Sequence, residues 1–227
     1  MNSRRLRRNR ALGAAGSVLI VGGLGLLAAA GFRTWRLSRF QESQLRVLRT
    51  VRAEELEPGP RLVRPGPARP PRPALAPGVV GMISIPRLGI SAVIKEGADS
   101  ATLSLAVGHI PGTARFGEPG NVGVAAHRNG LFKPLQGVAP GDTIEVMTPT
   151  TTYHYTVEGS RVVRPEQVEV LSPTERPTLT LVTCYPFRYV GFAPKRFIVT
   201  ARRDPAPPAT RSEADERERA VGAPHDS

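Results

Sequence analysis

Cys184 is the sole cysteine of the chain, and it closes the alternating run Thr178-Leu179-Thr180-Leu181-Val182-Thr183 just before Tyr185-Pro186 ends the pattern. Twelve residues later Arg196 opens a second run, Arg196-Phe197-Ile198-Val199-Thr200. His127 follows a run of small and branched residues, Val122-Gly123-Val124-Ala125-Ala126, and leads into the turn signal Arg128-Asn129-Gly130. Each of the three polar groups therefore stands at the edge of an apolar strand pattern. Together they could carry acyl transfer. A thiol is an effective nucleophile as thiolate, which a nearby cation stabilises. Attack on a peptide carbonyl creates an oxyanion, and a guanidinium fork offers it donors at fixed charge. The departing amine needs a proton, which an imidazole supplies near neutral pH. Water or a second amine could then resolve the thioester.

Taken singly, none of these residues is diagnostic. A lone cysteine is ordinarily a small buried hydrophobe, and one cysteine excludes both a disulfide framework and a zinc site with two thiolates from this chain. Lys195 is a decoy for Arg196, but a planar fork suits bidentate contact better than an ammonium. Thr183, beside the thiol, is a candidate for holding substrate or oxyanion. His109 precedes a Pro-Gly turn and reads as a structural hydrogen-bonding residue, His154 as a strand-face residue, and His225 as part of a polar tail. Glu166, Glu169 and Glu175 do not have the spacing of a calcium cage, so no metal or other cofactor is expected, with calcium left open.

The elements that must position the thiol, imidazole and guanidinium occupy about half of the 227 residues. Residues 1–10 carry five Arg and no acid, and residues 11–32 form an uncharged run of 22 residues. As a helix that run would measure about 33 Å, enough to span a bilayer core. It reads as an uncleaved anchor with its N-terminus cytoplasmic, since it is long for the core of a cleaved signal peptide. Residues 33–78 read as a polar helical stalk over 40–56 followed by a Pro-rich spacer over 58–77. Residues 204–227 read as a solvated, disordered tail.

Residues 79–203 remain as the folded domain, with thirteen basic and nine acidic residues. Their modest charge argues against a nucleic-acid partner, because most of the net +12 flanks the apolar run instead. Short β-branched runs separated by Gly and Pro predict strands at 79–85, 91–94, 121–126, 143–148, 151–163, 178–183 and 196–202, with a helical turn within 100–106. That pattern predicts an all-β barrel or sandwich.

Several strings then resemble one family in its own order. They are Gly108-His109-Ile110-Pro111-Gly112-Thr113-Ala114, Gly120-Asn121-Val122, Ala126-His127-Arg128, Thr180-Leu181-Val182-Thr183-Cys184 and Lys195-Arg196-Phe197-Ile198-Val199. Over residues 79–203 the chain resembles the bacterial sortases. The resemblance implies a closed eight-stranded β-barrel that cleaves a Leu-Pro-x-Thr-type sorting motif after Thr and passes the acyl group to a cell-envelope amine. It implies His127 as general acid/base, Cys184 as nucleophile and Arg196 as stabiliser of substrate and oxyanion. Cys184-Tyr185-Pro186-Phe187 with Gly191-Phe192-Ala193-Pro194 looks like class D, whose members prefer motifs ending in Ala. The expected partners are secreted proteins bearing the motif, a cell-wall or other amine, and membrane lipid around the anchor. The competing reading is a non-catalytic, membrane-tethered β-domain that binds a wall component or a protein.

Overall fold

A computed structural model describes residues 3–56, 74–189 and 191–205, the side chains of 3–19 and 54–56 excepted. Eight strands close into one barrel in the order β1-β2-β3-β4-β7-β8-β6-β5. They are β1 (Val79–Ile85), β2 (Ile90–Glu96), β3 (Val107–His109), β4 (Asn121–Ala125), β5 (Thr143–Met147), β6 (Thr152–Val163), β7 (Thr178–Tyr185) and β8 (Lys195–Arg203). The expected barrel is thus present. Its eighth member, β3, escaped the strand pattern because three residues carry too little alternation to register.

Alternation along each strand sends one set of side chains inward. Ile83, Ile94, Val107, Val124, Ile144, Leu179, Leu181 and Val199 meet there with no exposed surface. Tyr155 shares this core, and burial pushes its phenol up to about 12. Gly81 lies where β1 passes close to β5, and a Cβ there would run into the Met147 carbonyl. Arg87, on the short 3-10 turn Pro86–Leu88 after β1, pairs with the buried Asp142 that precedes β5.

Two pairings are parallel, β2–β3 and β4–β7; the others are antiparallel. Following the strand directions around the barrel puts the C-terminal ends of β4 and β7 and the start of β8 at one end. The C-terminal ends of β2, β3, β5 and β8 lie at the other. A one-turn helix, α2 (Ser100–Leu103), is capped by Asp99, whose carboxylate accepts from the amides of Ala101 and Thr102.

The segment read as a polar helical stalk is helical, and it packs on the barrel. Helix α1 (Ser3–Leu56) is continuous, and its later part lies on the barrel. Leu48 is fully buried, and the Gln41 side chain bridges two strands' worth of backbone. Its Oε1 accepts from the Val93 amide at 2.7 Å, and its Nε2 donates to the Leu105 carbonyl at 2.5 Å. The reason is topological: β3 pairs only with Ile94, Lys95 and Glu96, so the earlier part of β2 has no strand beside it there. A buried amide without a partner is costly, and Gln41 supplies one. Gln44 accepts from the Ala76 amide at 2.8 Å, and Arg52 donates to the Thr150 carbonyl.

Among the described residues no helix is long and apolar enough to cross a membrane. Side chains 11–19, the first part of the uncharged run, lie outside the description, as do residues 57–73 of the spacer and residues 206–227 of the tail, His225 among them.

Candidate active site

Three neighbouring strands bring the three polar residues into one row. In the barrel order β4, β7 and β8 are adjacent. Cys184 and Arg196 are direct cross-strand partners in the antiparallel β7–β8 pair. On the other side Ala125 is level with Val182, and the Ala126 amide donates to the Val182 carbonyl at 3.2 Å. His127 is the next residue, so it leaves β4 beside the end of β7. The thiol therefore stands between the imidazole and the guanidinium, with neighbouring strands about 5 Å apart.

Cys184 is the penultimate residue of β7 rather than the residue after its end, because the strand continues through Tyr185. Its side chain is half-buried. It shares the outward face of the sheet with Thr180 and Val182 of β7 and with Gly123 and Ala125 of β4, since Leu179, Leu181, Val122 and Val124 point into the core. Small residues make the floor of this face. A Cβ on Gly123 would approach Leu171, Thr113 and Ile110 to within 2.9–3.3 Å, so those three side chains roof the floor at its deep end.

His127 is exposed, and its carbonyl accepts from the amides of Gly130 and Phe132, which folds the turn after β4. Phe132 is fully buried and pins that turn to the core. Arg196 is half-buried, and its Nη1 donates to the carbonyls of Ala193 and Lys195 at 3.2 and 3.0 Å. Among the described residues its Nε and Nη2 make no hydrogen bond. Lys195 is the cross-strand partner of Tyr185 and so faces away from the Cys184 side.

Thr183 lies behind the site. It is 2% exposed, and its hydroxyl donates to the Ala126 carbonyl at 2.8 Å. Adjacent strand residues point to opposite faces, so the neighbour of Cys184 cannot share its face. Thr183 acts on the residue before His127 and has no hydroxyl proton left for a substrate.

Several residues that shape the site carried no spacing signal. Asn121 is buried at the start of β4; its Nδ2 donates to the carbonyls of Val170 and Ser172, and its Oδ1 accepts from the Thr180 hydroxyl at 2.7 Å. It thereby holds the loop between β6 and β7, including the 3-10 turn Val168–Leu171, over the floor. Arg128 fixes the opposite wall, donating from Nη2 to the carbonyls of Tyr189 and Gly191 at 2.9 and 3.0 Å.

His109 is 4% exposed and wholly engaged away from the row, with Nδ1 at 3.0 Å from both Glu96 oxygens and Nε2 at 2.9 Å from the Ala114 carbonyl. His154 is an exposed β6 residue opposite Glu145. Among the described residues no group of three His, Cys, Asp or Glu side chains could hold a metal ion.

Known proteins resemble this chain in sequence and fold. The family model for the sortase domain matches residues 83–204, just over half of the chain. Sortase D of Bacillus subtilis (strain 168) is 30% identical over 124 residues, which are 54% of this chain; the chain spans 63% of that relative's length. Among solved structures, a Clostridium perfringens Sortase D5 transpeptidase superposes with a TM-score of 0.52 at 30% identity, covering 56% of this chain and 79% of the other. Sortase C-1 of Actinomyces oris gives 0.53 at 32% identity, covering 57% and 75%. With the barrel, the row of three residues and the domain match in agreement, the chain belongs to the sortase family.

Proposed function

We propose that this chain is a membrane-anchored cysteine transpeptidase that cleaves a Leu-Pro-x-Thr-(Ala/Gly)-type motif after Thr and transfers the acyl group to an amine of the cell envelope. The observation that carries this reading is the row itself: Cys184 paired in register with Arg196 and flanked on its other side by the strand that ends at His127. In the first half-reaction a bond forms between Cys184 Sγ and the threonine carbonyl carbon. The following peptide bond breaks, and His127 delivers the thiol's proton to the departing amine. Arg196 donates to the oxyanion or to a substrate carbonyl from the nitrogens not held by the loop. In the second half-reaction an incoming amine loses its proton to His127, attacks the thioester and returns the thiol. Ala125 and Val182 beside Cys184 leave the open part of the face for an extended peptide, and Leu171, Ile110 and Thr113, packed on Gly123, close its deep end.

A class D preference for Ala after the threonine is supported by the 30% identity to two Sortase D proteins, while the comparable likeness to a Sortase C keeps the barrel itself neutral on this point. Anchoring is supported by the 22-residue uncharged run and by the exposure of Ile20, Val21, Leu24, Leu26, Leu27 and Phe32 along α1, a density of bare apolar surface that water does not favour. The N-terminal arginines favour a cytoplasmic start with the barrel outside.

The test uses the full chain in detergent with peptides ending in Thr-Ala or Thr-Gly and an excess of a diamine. Mass spectrometry should find a Thr-amine product and a Cys184 thioester, both absent from Cys184→Ala. A folded sample that forms neither product nor adduct with any such peptide would point instead to the non-catalytic binding domain.

A further inference from the structure

The contacts of α1 fix the direction in which it crosses the barrel. Gln41 is level with the middle of β2, at Val93. One turn later Gln44 reaches Ala76, just ahead of the first residue of β1, and Arg52 reaches Thr150 in the β5–β6 turn. Both later contacts are at the barrel end away from Cys184. Running the helix backwards therefore leads from mid-barrel toward the catalytic end. Phe32, the last residue of the uncharged run, is nine residues before Gln41, about 14 Å along a helix. Half the height of a seven-residue strand is about 10 Å. The end of the apolar run thus lies near the level of the loops that surround Cys184.

A second feature, on the barrel itself, points the same way. Among the described residues outside α1, the large apolar side chains left exposed are Val162, Val168, Tyr189 and Phe192. Val162 is next to the last residue of β6 and pairs with Phe197, while Tyr189 and Phe192 are on the β7–β8 loop. Val168 is farther along the β6–β7 loop, between the exposed Glu166 and Glu169 and on the turn that Asn121 holds at the other end, so it does not belong to this group. Phe192 is completely bare, and the stack of Tyr185, Phe187 and Phe197 stands at the base of its loop. Residues 186–195 add Arg188 and Lys195, both exposed, and contain no acid. The opposite end is also basic, with Arg115, Arg176, Arg202 and Arg203, yet among the described residues it shows no exposed aromatic side chain. Bare aromatics beside cations suit an anionic lipid surface, where apolar tips enter the headgroup layer and basic side chains meet its charge.

We propose that the catalytic end of the barrel faces the membrane, with Phe192 and Tyr189 seated in the headgroup layer of an anionic bilayer and Arg188 and Lys195 against its phosphates. This rests on the anchoring read above. It places the thiol in the layer next to the bilayer.

The sole cysteine makes the test direct. In a Cys184→Ala background, Phe192→Cys and Thr150→Cys each receive one environment-sensitive fluorophore, and the full chain is reconstituted into vesicles of phosphatidylglycerol and phosphatidylcholine carrying a headgroup quencher. The expected result is stronger quenching and a blue shift for the probe at 192, with a probe at 150 that stays solvent-like. Equal quenching at both sites, or stronger quenching at 150, from protein that co-floats with the vesicles would overturn the orientation and leave the anchor standing. Protein that fails to co-float would overturn the anchor, and the orientation with it.

Discussion

The guanidinium of Arg128, the residue immediately after His127, donates to the backbone of Tyr189 and sits 5.8 Å from its ring. One side chain thus joins the turn that carries the imidazole to the loop that leads into Arg196. The two flanks of Cys184 are coupled without touching each other.

Arg128→Ala should loosen that loop while leaving the barrel intact. Two hydrogen bonds to a charged donor contribute on the order of 1–3 kcal/mol, so kcat/KM should fall by roughly tenfold to a hundredfold. Hydrogen exchange should rise at 186–194 and stay unchanged in β7. Arg128→Lys, which cannot reach both carbonyls in one plane, should recover only part of the loss.

For the row itself, Arg196→Lys should lower kcat by about a hundredfold, as loss of a fixed oxyanion donor does elsewhere. Lys195→Ala should stay within about twofold. Steady-state kinetics on both variants distinguish the two adjacent cations, and equal losses would contradict the register that places them on opposite faces.

Asn121→Ala removes the amide that holds Val170 and Ser172 and leaves the Thr180 hydroxyl unpaired in a buried place. A destabilisation of about 1–3 kcal/mol is expected from denaturant titration. KM for the sorting peptide should rise more than kcat falls, because the freed loop no longer roofs the floor.

Hydrogen bonding from Arg87 holds the Asp142 carboxyl below its ordinary range, aided by the Ala139 amide and opposed by burial. A depressed folded value means that the pair stabilises the fold above the unfolded carboxylate value of about 4, and that this stability is lost as pH falls through the folded value. Asp142→Asn should therefore lower Tm at pH 7, and its gap from the parent should narrow progressively as melts are taken below about pH 4. A gap independent of pH would show that the charge is not the cause.

Gln41→Ala should strip partners from the Val93 amide and the Leu105 carbonyl. In the full chain the expected cost is about 1–3 kcal/mol, together with faster exchange at the Val93 amide. Exchange at Val122 and Leu181, deep in the barrel, should speed up by no more than the overall loss of stability requires.

What could be read before the fold was known follows from how far each interaction reaches along the chain. Cys184, His127 and Arg196 each stood at the edge of a strand pattern, so local alternation located them. Thr183 was singled out only for being next to Cys184, and the two-residue period of a strand sends its side chain to the opposite face, where it bonds Ala126. Barrel closure was legible through family resemblance, since alternation alone does not separate a barrel from a sandwich. The pairing of Gln41 with Val93 spans 52 residues and that of Arg128 with Tyr189 spans 61. A polar residue bonded across such a distance looks in sequence like any solvated one.

The parallel pairing of β4 with β7 has a consequence for when the protein becomes competent. Parallel neighbours cannot be joined by a hairpin, and here the excursion between them includes β5 and β6. The bond from Thr183 to Ala126 closes a separation of 57 residues, and Arg196 enters later still. Contacts of such long range form slowly, because the intervening chain must be ordered before they reward it. A chain that emerges N-terminus first therefore carries an unassembled site until its last strand has followed the others. Until β8 is in place Cys184 lacks its cross-strand partner, so the order of the strands along the chain sets when the row is complete.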